Sequence, residues 1–215
     1  MIVLALDTCL AACSVAILDG ERVLAARSEA MARGHQERLA PLTAELMAEA
    51  GLAFSDLQRI GVTVGPGSFT GLRVGLAFAK GLGAARDIPV VGLGVLETLA
   101  AGQPGLVFAV MDAKRGQLYL QAFEGGAPLM APDALELGTA AARLAELAGG
   151  RPATLVGPGA ALLADALPQA QVLALDHPDP VAVAHLAAVR SVVPPRPLYL
   201  RAPDAKLPGG RDLPA

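Results

Sequence analysis

The segment Ile2-Val-Leu-Ala-Leu-Asp7 recurs as Val107-Phe-Ala-Val-Met-Asp112, at an offset of 105 residues. Each copy is an apolar run that ends in an aspartate, and the later pairs Asp19-Gly20 and Glu124-Gly125 keep the same offset. Self-similarity at a fixed offset is the signature of a duplicated structural unit. The 215-residue chain is therefore predicted to contain two diverged copies of one α/β unit.

A second repeat supports the duplication. Val64-Gly-Pro-Gly67 and Val156-Gly-Pro-Gly159 lie 92 residues apart, and each follows an apolar run and precedes an Ala-rich segment. Because both repeats occur in the same order, we place the first copy at 1–103, the second at 104–200, and a loose tail at 201–215.

Apolar periodicity and turn residues predict the elements of each copy. In the first copy they predict strands at 2–7, 12–18, 22–28, 59–64 and 88–93, and helices at 36–50, 68–85 and 95–101. In the second they predict strands at 106–112, 116–123 and 153–157, and helices at 139–148, 159–166 and 180–190. Two such units imply two mixed sheets side by side, each covered by helices, with a cleft between them.

Composition and charge exclude several classes of protein. With 53% hydrophobic and 17% charged residues the chain is not a disordered one. Its 17 basic and 20 acidic residues give a net charge of −3 and include no basic run, which argues against nucleic-acid binding by this chain alone. Cys9 and Cys13 suit neither a disulfide framework nor a zinc site, and we expect a reducing, cytoplasmic location. Neither a signal peptide nor a membrane helix is predicted.

Two strand ends carry carboxylates that could serve a nucleotide. Asp7, followed by Thr8, and Asp112 lie where the first strand of each copy ends. A carboxylate at such a position can hold a hydrated Mg²⁺ beside a phosphate. The alternative is that each aspartate caps its own turn.

A glycine-rich loop joins the strand at 59–64 to the helix at 68–85. Free backbone amides around Gly65 and Gly67 could cradle a phosphate at the helix N-terminus. The loop lacks the Gly-Lys-Ser/Thr ending of a Walker loop, and Thr70 stands where a dinucleotide fingerprint needs its third glycine. Ser68 is predicted to be the N-cap of the helix, and the glycines could serve the turn alone.

Other chemistry finds no support in the sequence. His35, His177 and His185 are the only histidines, and no two have the spacing that places two ligands on one metal. No serine lies in a Gly-x-Ser-x-Gly elbow. We therefore predict neither a metal site nor nucleophilic catalysis.

The helix at 68–85 is apolar on nearly every side, which is typical of a helix buried all round. It carries a stripe of small residues, and the preceding helix carries another: Gly71, Gly75, Ala79 and Gly83, and Ala40, Ala44 and Ala48. Two interpretations remain open. The pair could expose an apolar surface to a partner protein, or the two helices could pack closely within one domain.

Several motifs together resemble one bacterial family, TsaB (YeaZ). They are Ile2–Thr8 with Ala12–Ile17, His35–Leu39, Gly65–Gly75, Asp112-Ala113 with Gly116–Tyr119, and Pro197–Arg201. The resemblance implies a duplicated actin/hexokinase/Hsp70-like (RNase H-like) ATPase fold. It also implies a subunit of the machinery that installs threonylcarbamoyl on the adenosine next to the anticodon in tRNAs that read codons beginning with A.

The resemblance further implies that this subunit is not the catalytic one. The catalytic paralogue TsaD binds a metal through a His-x-x-x-His pair, and the positions that align with it here are Val95 and Leu99. We therefore expect no cofactor or metal of the chain's own, with ATP, Mg²⁺ and metal held by partner subunits. The expected partners are TsaD, in a heterodimer, and the ATPase TsaE, with tRNA reached only through the complex and a homodimer possible in isolation.

The resemblance also gives the helix pair a role, as half of a four-helix bundle formed with TsaD or with a second copy. The residues expected in or near that interface are Leu39, Leu42, Leu46, Leu72, Leu76 and Ala79.

Two other functions remain open at this stage. The chain could be a stand-alone ATP-dependent phosphotransferase of the same superfamily that uses Asp7, Asp112 and the Gly-Pro-Gly loop. It could also be a structural protein whose natural partner is itself.

Overall fold

The computed structural model describes residues 1–201, so the proposed tail lies outside the described residues except for Arg201. The first sheet has five strands: β1 (Ile2–Asp7), β2 (Ala12–Asp19), β3 (Arg22–Ala30), β4 (Arg59–Thr63) and β5 (Val90–Leu93). Their spatial order is β3-β2-β1-β4-β5, with β2 antiparallel to β1 and to β3, and β4 and β5 parallel to β1.

The second sheet repeats this arrangement. Its strands are β6 (Leu106–Lys114), β7 (Gln117–Glu124), β8 (Ala127–Pro128), β9 (Asp133–Glu136), β10 (Ala153–Val156) and β11 (Gln171–Leu173). The order is β11-β10-β6-β7-β8, and β9 also pairs with β7. The series β7-β6-β10-β11 has the same directions as β2-β1-β4-β5, with one antiparallel and two parallel pairings. The duplicated α/β fold is therefore confirmed.

Within residues 1–201, five helices cover the sheets: α1 (His35–Glu49), α2 (Phe69–Arg86), α3 (Val95–Ala100), α4 (Leu137–Ala148) and α5 (Pro180–Val189). The predicted bounds of all five lie within two residues of these. The predicted helix at 159–166 is instead a 3₁₀ helix, Ala160–Ala166. The strands β8, β9 and β11 were not predicted, because each has only two to four residues, too few to show an alternating apolar pattern.

α1 and α2 cover one face of the first sheet. Leu39, Leu42 and Leu46 recur at helical spacing on α1, and their side chains pack with Leu4 and Leu6 of β1 in one buried cluster. The spacing that makes α1 amphipathic thus places its apolar stripe against its own sheet.

α5 covers the opposite face of the first sheet, although it follows the second sheet in the chain. Val183 and Ala187 pack with Val3 and Ala5 of β1 in a separate buried cluster. The helix approaches so closely that a Cβ at Gly61 would overlap the Cβ of Ala187. The assignment of all of 104–200 to the second lobe is therefore wrong at its end, because α5 belongs to the core of the first.

Within residues 1–201 no helix is long and apolar enough to cross a membrane.

Candidate functional site

The Gly-Pro-Gly loop packs against the chain that leaves β1. The backbone N–H of Ser68 donates to the carbonyl oxygen of Cys9 over 2.7 Å. A Cβ at Gly67 would overlap that same oxygen, and one at Gly71 would overlap the carbonyl oxygen of Thr8. The Ser68 amide, which could have faced a phosphate, is thus satisfied by the chain itself, and Gly67 and Gly71 are required by backbone packing.

Ser68 caps α2, as predicted, because its Oγ accepts a hydrogen bond from the amide of Gly71 over 3.2 Å. Gly65 has a φ of 101°, a conformation that favours glycine, and its carbonyl oxygen accepts from the amide of Val95 over 2.8 Å. The loop therefore ties β4, α2 and the start of α3 together.

Asp7 lies beneath this loop and is 1% exposed. Its Oδ1 accepts from the amide of Cys9 over 3.1 Å and from the hydroxyl of Thr63, whereas its buried Oδ2 has no partner among the described residues. Burial raises the pKa of this carboxyl, and the hydrogen bonds from Thr63 and Cys9 offset part of that effect. Thr8 is also buried and donates from Oγ1 to the carbonyl of Gly71 over 2.7 Å.

Asp112 occupies the corresponding place in the second lobe but is exposed. Its Oδ1 accepts from the amide of Lys114 over 2.7 Å, and its Oδ2 pairs with the Lys114 ammonium at 2.8 Å. These contacts with Lys114 lower the pKa of Asp112. Both aspartates accept from the amide two residues later, so each forms the local turn cap that the sequence left open as an alternative.

A cavity of about 420 Å³ lies between the two lobes. Its lining residues are Leu10, Gly67, Ser68, Met111, Asp112, Lys114, Tyr119 and Pro158. The structure thus brings three of the six predicted cleft residues, Gly67, Ser68 and Asp112, to one cavity, whereas Asp7, Thr8 and Gly65 do not line it. A nucleotide role for these six residues stays a prediction.

The residues expected at the partner interface are not on the surface. Leu39, Leu42, Leu46, Leu72, Leu76 and Ala79 are each at most 5% exposed and belong to the core of the first lobe. Their expected contact with a partner is therefore corrected, because an apolar stripe at helical spacing packs first on the sheet of its own lobe.

The small-residue stripe of α2 also faces inward. A Cβ at Gly75 would lie 2.6 Å from Oγ1 of Thr8, and one at Gly83 would overlap Val90 of β5. These glycines let α2 approach its own sheet, which supports close packing within the domain for this stripe.

A different set of small side chains faces outward, and we call it the helix-pair face. Its members are the exposed Ala40, Ala44 and Ala48 of α1, the exposed Thr70, Ala77 and Gly81 of α2, and the half-buried Val74 and Phe78. The two helices pack side by side, and a cavity of about 380 Å³ at their N-terminal ends is lined by both.

Three further residues form a cluster at the edge of this face that the sequence had not revealed. We call it the Arg73 clamp. The guanidinium carbon of Arg73 lies 3.6 Å from the ring centroid of Phe69, and its Nε donates to the hydroxyl of Tyr199 over 3.2 Å. The two ring centroids are 5.8 Å apart. The sequence provides only part of the information needed to predict this clamp. Arg73 stands out as one of few charges on α2, but Tyr199 is 126 residues away.

Val95 and Leu99 lie one helical turn apart on α3, and both are buried in the apolar core of the first lobe. Among the residues described, no group of three or more His, Cys, Asp or Glu side chains could hold a metal ion. The side chains at these two positions offer no metal ligand.

Comparison with known proteins identifies relatives of the chain. A family model described as TsaD, tRNA N6-adenosine threonylcarbamoyltransferase, matches residues 28–154. The tRNA threonylcarbamoyladenosine biosynthesis protein TsaB of Escherichia coli is 34% identical over 124 residues, which is 55% of this chain and 53% of that protein. The chain thus spans about half the length of this relative. An uncharacterized protein of Mycobacterium tuberculosis is 35% identical over 213 residues, covering 95% of this chain and 93% of its own length.

Solved structures agree with the sequence matches. YeaZ from Pseudomonas aeruginosa has a TM-score of 0.78 and 29% identity, covering 93% of this chain and 99% of its own. The ROK hexokinase of Thermus thermophilus, at 18% identity and a TM-score of 0.54, shares the fold, covering 88% of this chain and 99% of its own.

Proposed function

Because the chain belongs to the TsaB (YeaZ) family, we propose that it serves the threonylcarbamoyl modification of tRNA as a non-catalytic subunit that binds TsaD. In this role it supports transfer to the adenosine next to the anticodon and helps to recruit the ATPase TsaE, and it acts in the cytoplasm. tRNA reaches it only through the complex, which accords with its net charge of −3.

The chemistry of α3 supports the non-catalytic role. Valine and leucine stand at positions 95 and 99, where our alignment with TsaD places the metal-binding histidines. Aliphatic side chains have no lone pair to donate to a metal. The catalytic metal, ATP and Mg²⁺ are then contributions of the partner subunits.

The helix-pair face supports binding of TsaD. It is the single observation that carries the proposed location of the TsaD-binding site. Its small side chains let a partner's helices approach closely, and few of them carry polar groups that would have to lose water. This surface replaces the six buried residues as the proposed contact with TsaD.

The test uses charged substitutions on exposed helix positions. Ala44→Glu and Ala77→Glu lie on the helix-pair face, and Ala145→Glu, at an exposed position of α4, is the control. We expect the first two to weaken binding of cognate TsaD at least 100-fold in calorimetry, because they bury an unpaired carboxylate, with thermal stability nearly unchanged. The control is expected to bind like wild type. If Ala44→Glu and Ala77→Glu bound TsaD with unchanged affinity, the interface would not be the helix-pair face.

A further inference from the structure

The Arg73 clamp lies at the outer edge of the helix-pair face. Phe69 and Tyr199 are 56% and 48% exposed, which is unusual for a chain with only seven aromatic residues. Tyr199 comes from the segment after α5, and that segment is anchored beside the loop because the amide of Leu198 donates to the carbonyl of Val64 over 2.7 Å. The chain thus holds the ring of Phe69 and the hydroxyl of Tyr199 against one exposed arginine.

This arrangement fixes the guanidinium before any partner arrives. Stacking over Phe69 sets the plane of the group, and the Nε hydrogen bond to Tyr199 sets its rotation within that plane. In the described part of the chain no carboxylate is paired with Arg73, and no hydrogen bond is recorded from its two Nη atoms. A guanidinium held in this way is ready to bind a planar oxyanion with two parallel hydrogen bonds.

Two macromolecules could supply such an oxyanion, a protein carboxylate or an RNA phosphate. Binding of an RNA backbone requires clustered cations, but Arg73 and Lys80 are the only charged residues on α2 before its last turn. The small outward side chains beside them suit a protein surface instead. Arginine and tyrosine are also enriched at the energetic centres of protein interfaces.

The acidic side chains of α1 are already engaged, so they do not neutralise Arg73. Glu45 bonds to both Arg27 and Arg38, and Glu49 pairs with Arg27 at 2.9 Å. Glu37 accepts from Gln36 over 2.8 Å. The cation at the edge of α2 therefore remains available to a carboxylate from outside the chain.

We propose that Arg73, held by Phe69 and Tyr199, anchors the docked partner by a bidentate pair with a carboxylate of the partner protein. The inference rests on the proposed function, because it takes the helix-pair face as the docking surface. It also gives the segment 194–201 a role in binding, because Tyr199 of that segment orients Arg73.

The test compares Arg73→Met with Lys80→Met, which removes a cation from the same exposed side of α2. TsaD affinity is measured by calorimetry at low and high salt, and circular dichroism checks that each variant is folded. We expect Arg73→Met to weaken binding about tenfold and to reduce its salt dependence, as for a bidentate charge pair at an interface. We expect Lys80→Met to stay within about twofold of wild type.

Two further variants separate positioning from charge. Tyr199→Phe keeps the ring but removes the hydroxyl, so we expect a loss of about twofold to threefold in affinity. Arg73→Lys keeps the charge but not the planar fork, and is expected to recover only part of the loss. Arg73→Met binding within twofold of wild type would overturn the inference while leaving the proposed function intact.

The remaining outcomes are also decisive. If Arg73→Met weakened tRNA binding by the assembled complex but left TsaD affinity unchanged, the oxyanion would be a phosphate and the inference would be wrong. If the wild-type chain did not bind TsaD at all, the proposed function would fail first, and this inference with it.

Discussion

Asp7 has two candidate roles, a ligand of Mg²⁺ beside a nucleotide and a cap of its own turn. A carboxylate that holds Mg²⁺ beside a nucleotide must be ionised. Asp7 is buried, its Oδ2 has no partner among residues 1–201, and burial raises its pKa. The sequence could place this aspartate at the end of β1. It could not show the degree of burial, because the loop that covers Asp7 comes from residues about 60 positions later.

Asp7→Asn tests the protonation of this residue. A raised pKa means that the folded protein binds the proton more tightly than the unfolded chain does, so the free energy of unfolding falls as pH rises from the ordinary value of 3.8 through the folded value. Asparagine avoids this cost, and we expect the variant to gain stability relative to wild type across that pH range. Urea unfolding between pH 4 and 7.5 measures the difference. A difference that does not change with pH would contradict the assignment.

Gly71 and Gly81 on α2 test whether the glycines serve packing. A Cβ at Gly71 would overlap the backbone carbonyl of Thr8, whereas a Cβ at Gly81 would meet nothing within 4 Å. We therefore expect Gly71→Ala to destabilise the isolated chain by about 3 kcal/mol. Gly81→Ala should stabilise it by about 0.5–1 kcal/mol, because alanine restricts the unfolded chain more than glycine does. Chemical denaturation of both variants gives the comparison, and equal stabilities would rule out the backbone packing described for the loop.

At the scale of elements, apolar periodicity predicted the bounds of α1 and α2. It did not predict which surface each face of these helices packs against. Leu39, Leu42 and Leu46 recur at helical spacing on α1, and this stripe packs on the sheet of the first lobe. Sequence spacing gives the angle between side chains around a helix and does not say whether the covering surface belongs to the same chain. The exposed alanines of the helix-pair face add little to the hydrophobic pattern of the sequence, and they form the side of α1 that does not contact the sheet.

Leu76→Glu now has a different expected outcome from the one that a surface position would give. Leu76 is 5% exposed, and a glutamate there would bury an unpaired charge in the core of the first lobe. We expect loss of cooperative folding by circular dichroism, whereas Ala77→Glu is expected to fold and to bind TsaD weakly. A folded Leu76→Glu variant of normal stability would contradict the burial of this side chain.

α5 shows what local sequence cannot reveal about an element. Its bounds were predicted, but its contact with the first sheet depends on Gly61, 126 residues before Ala187. We expect Ala187→Leu to destabilise the chain by about 2 kcal/mol through overpacking against β4. Val189→Leu, at a position 82% exposed, should change stability by less than about 0.5 kcal/mol. Thermal unfolding of the two variants tests the docking of α5, and equal melting temperatures would speak against it.

At the scale of the whole molecule, two short sequence repeats predicted the duplication of the fold. Asp7 at the end of β1 matches Asp112, two residues before the end of β6. The Gly-Pro-Gly loops also recur in equivalent places of two sheets with the same strand order. The lobes have nonetheless diverged. Asp7 is buried, whereas Asp112 pairs with Lys114 on the surface. This difference depends on contacts between distant segments, which the sequence repeats do not predict.

We propose that the chain supports a tRNA modification without performing its chemistry. The most direct measurement is reconstitution of tRNA threonylcarbamoylation with cognate TsaD, TsaE, ATP and the activated threonylcarbamoyl donor, with and without this chain. We predict that modified tRNA forms only when the chain is present, and that the chain with the donor and tRNA alone gives none. Equal modification without the chain, or transfer by the chain alone, would contradict this proposed role.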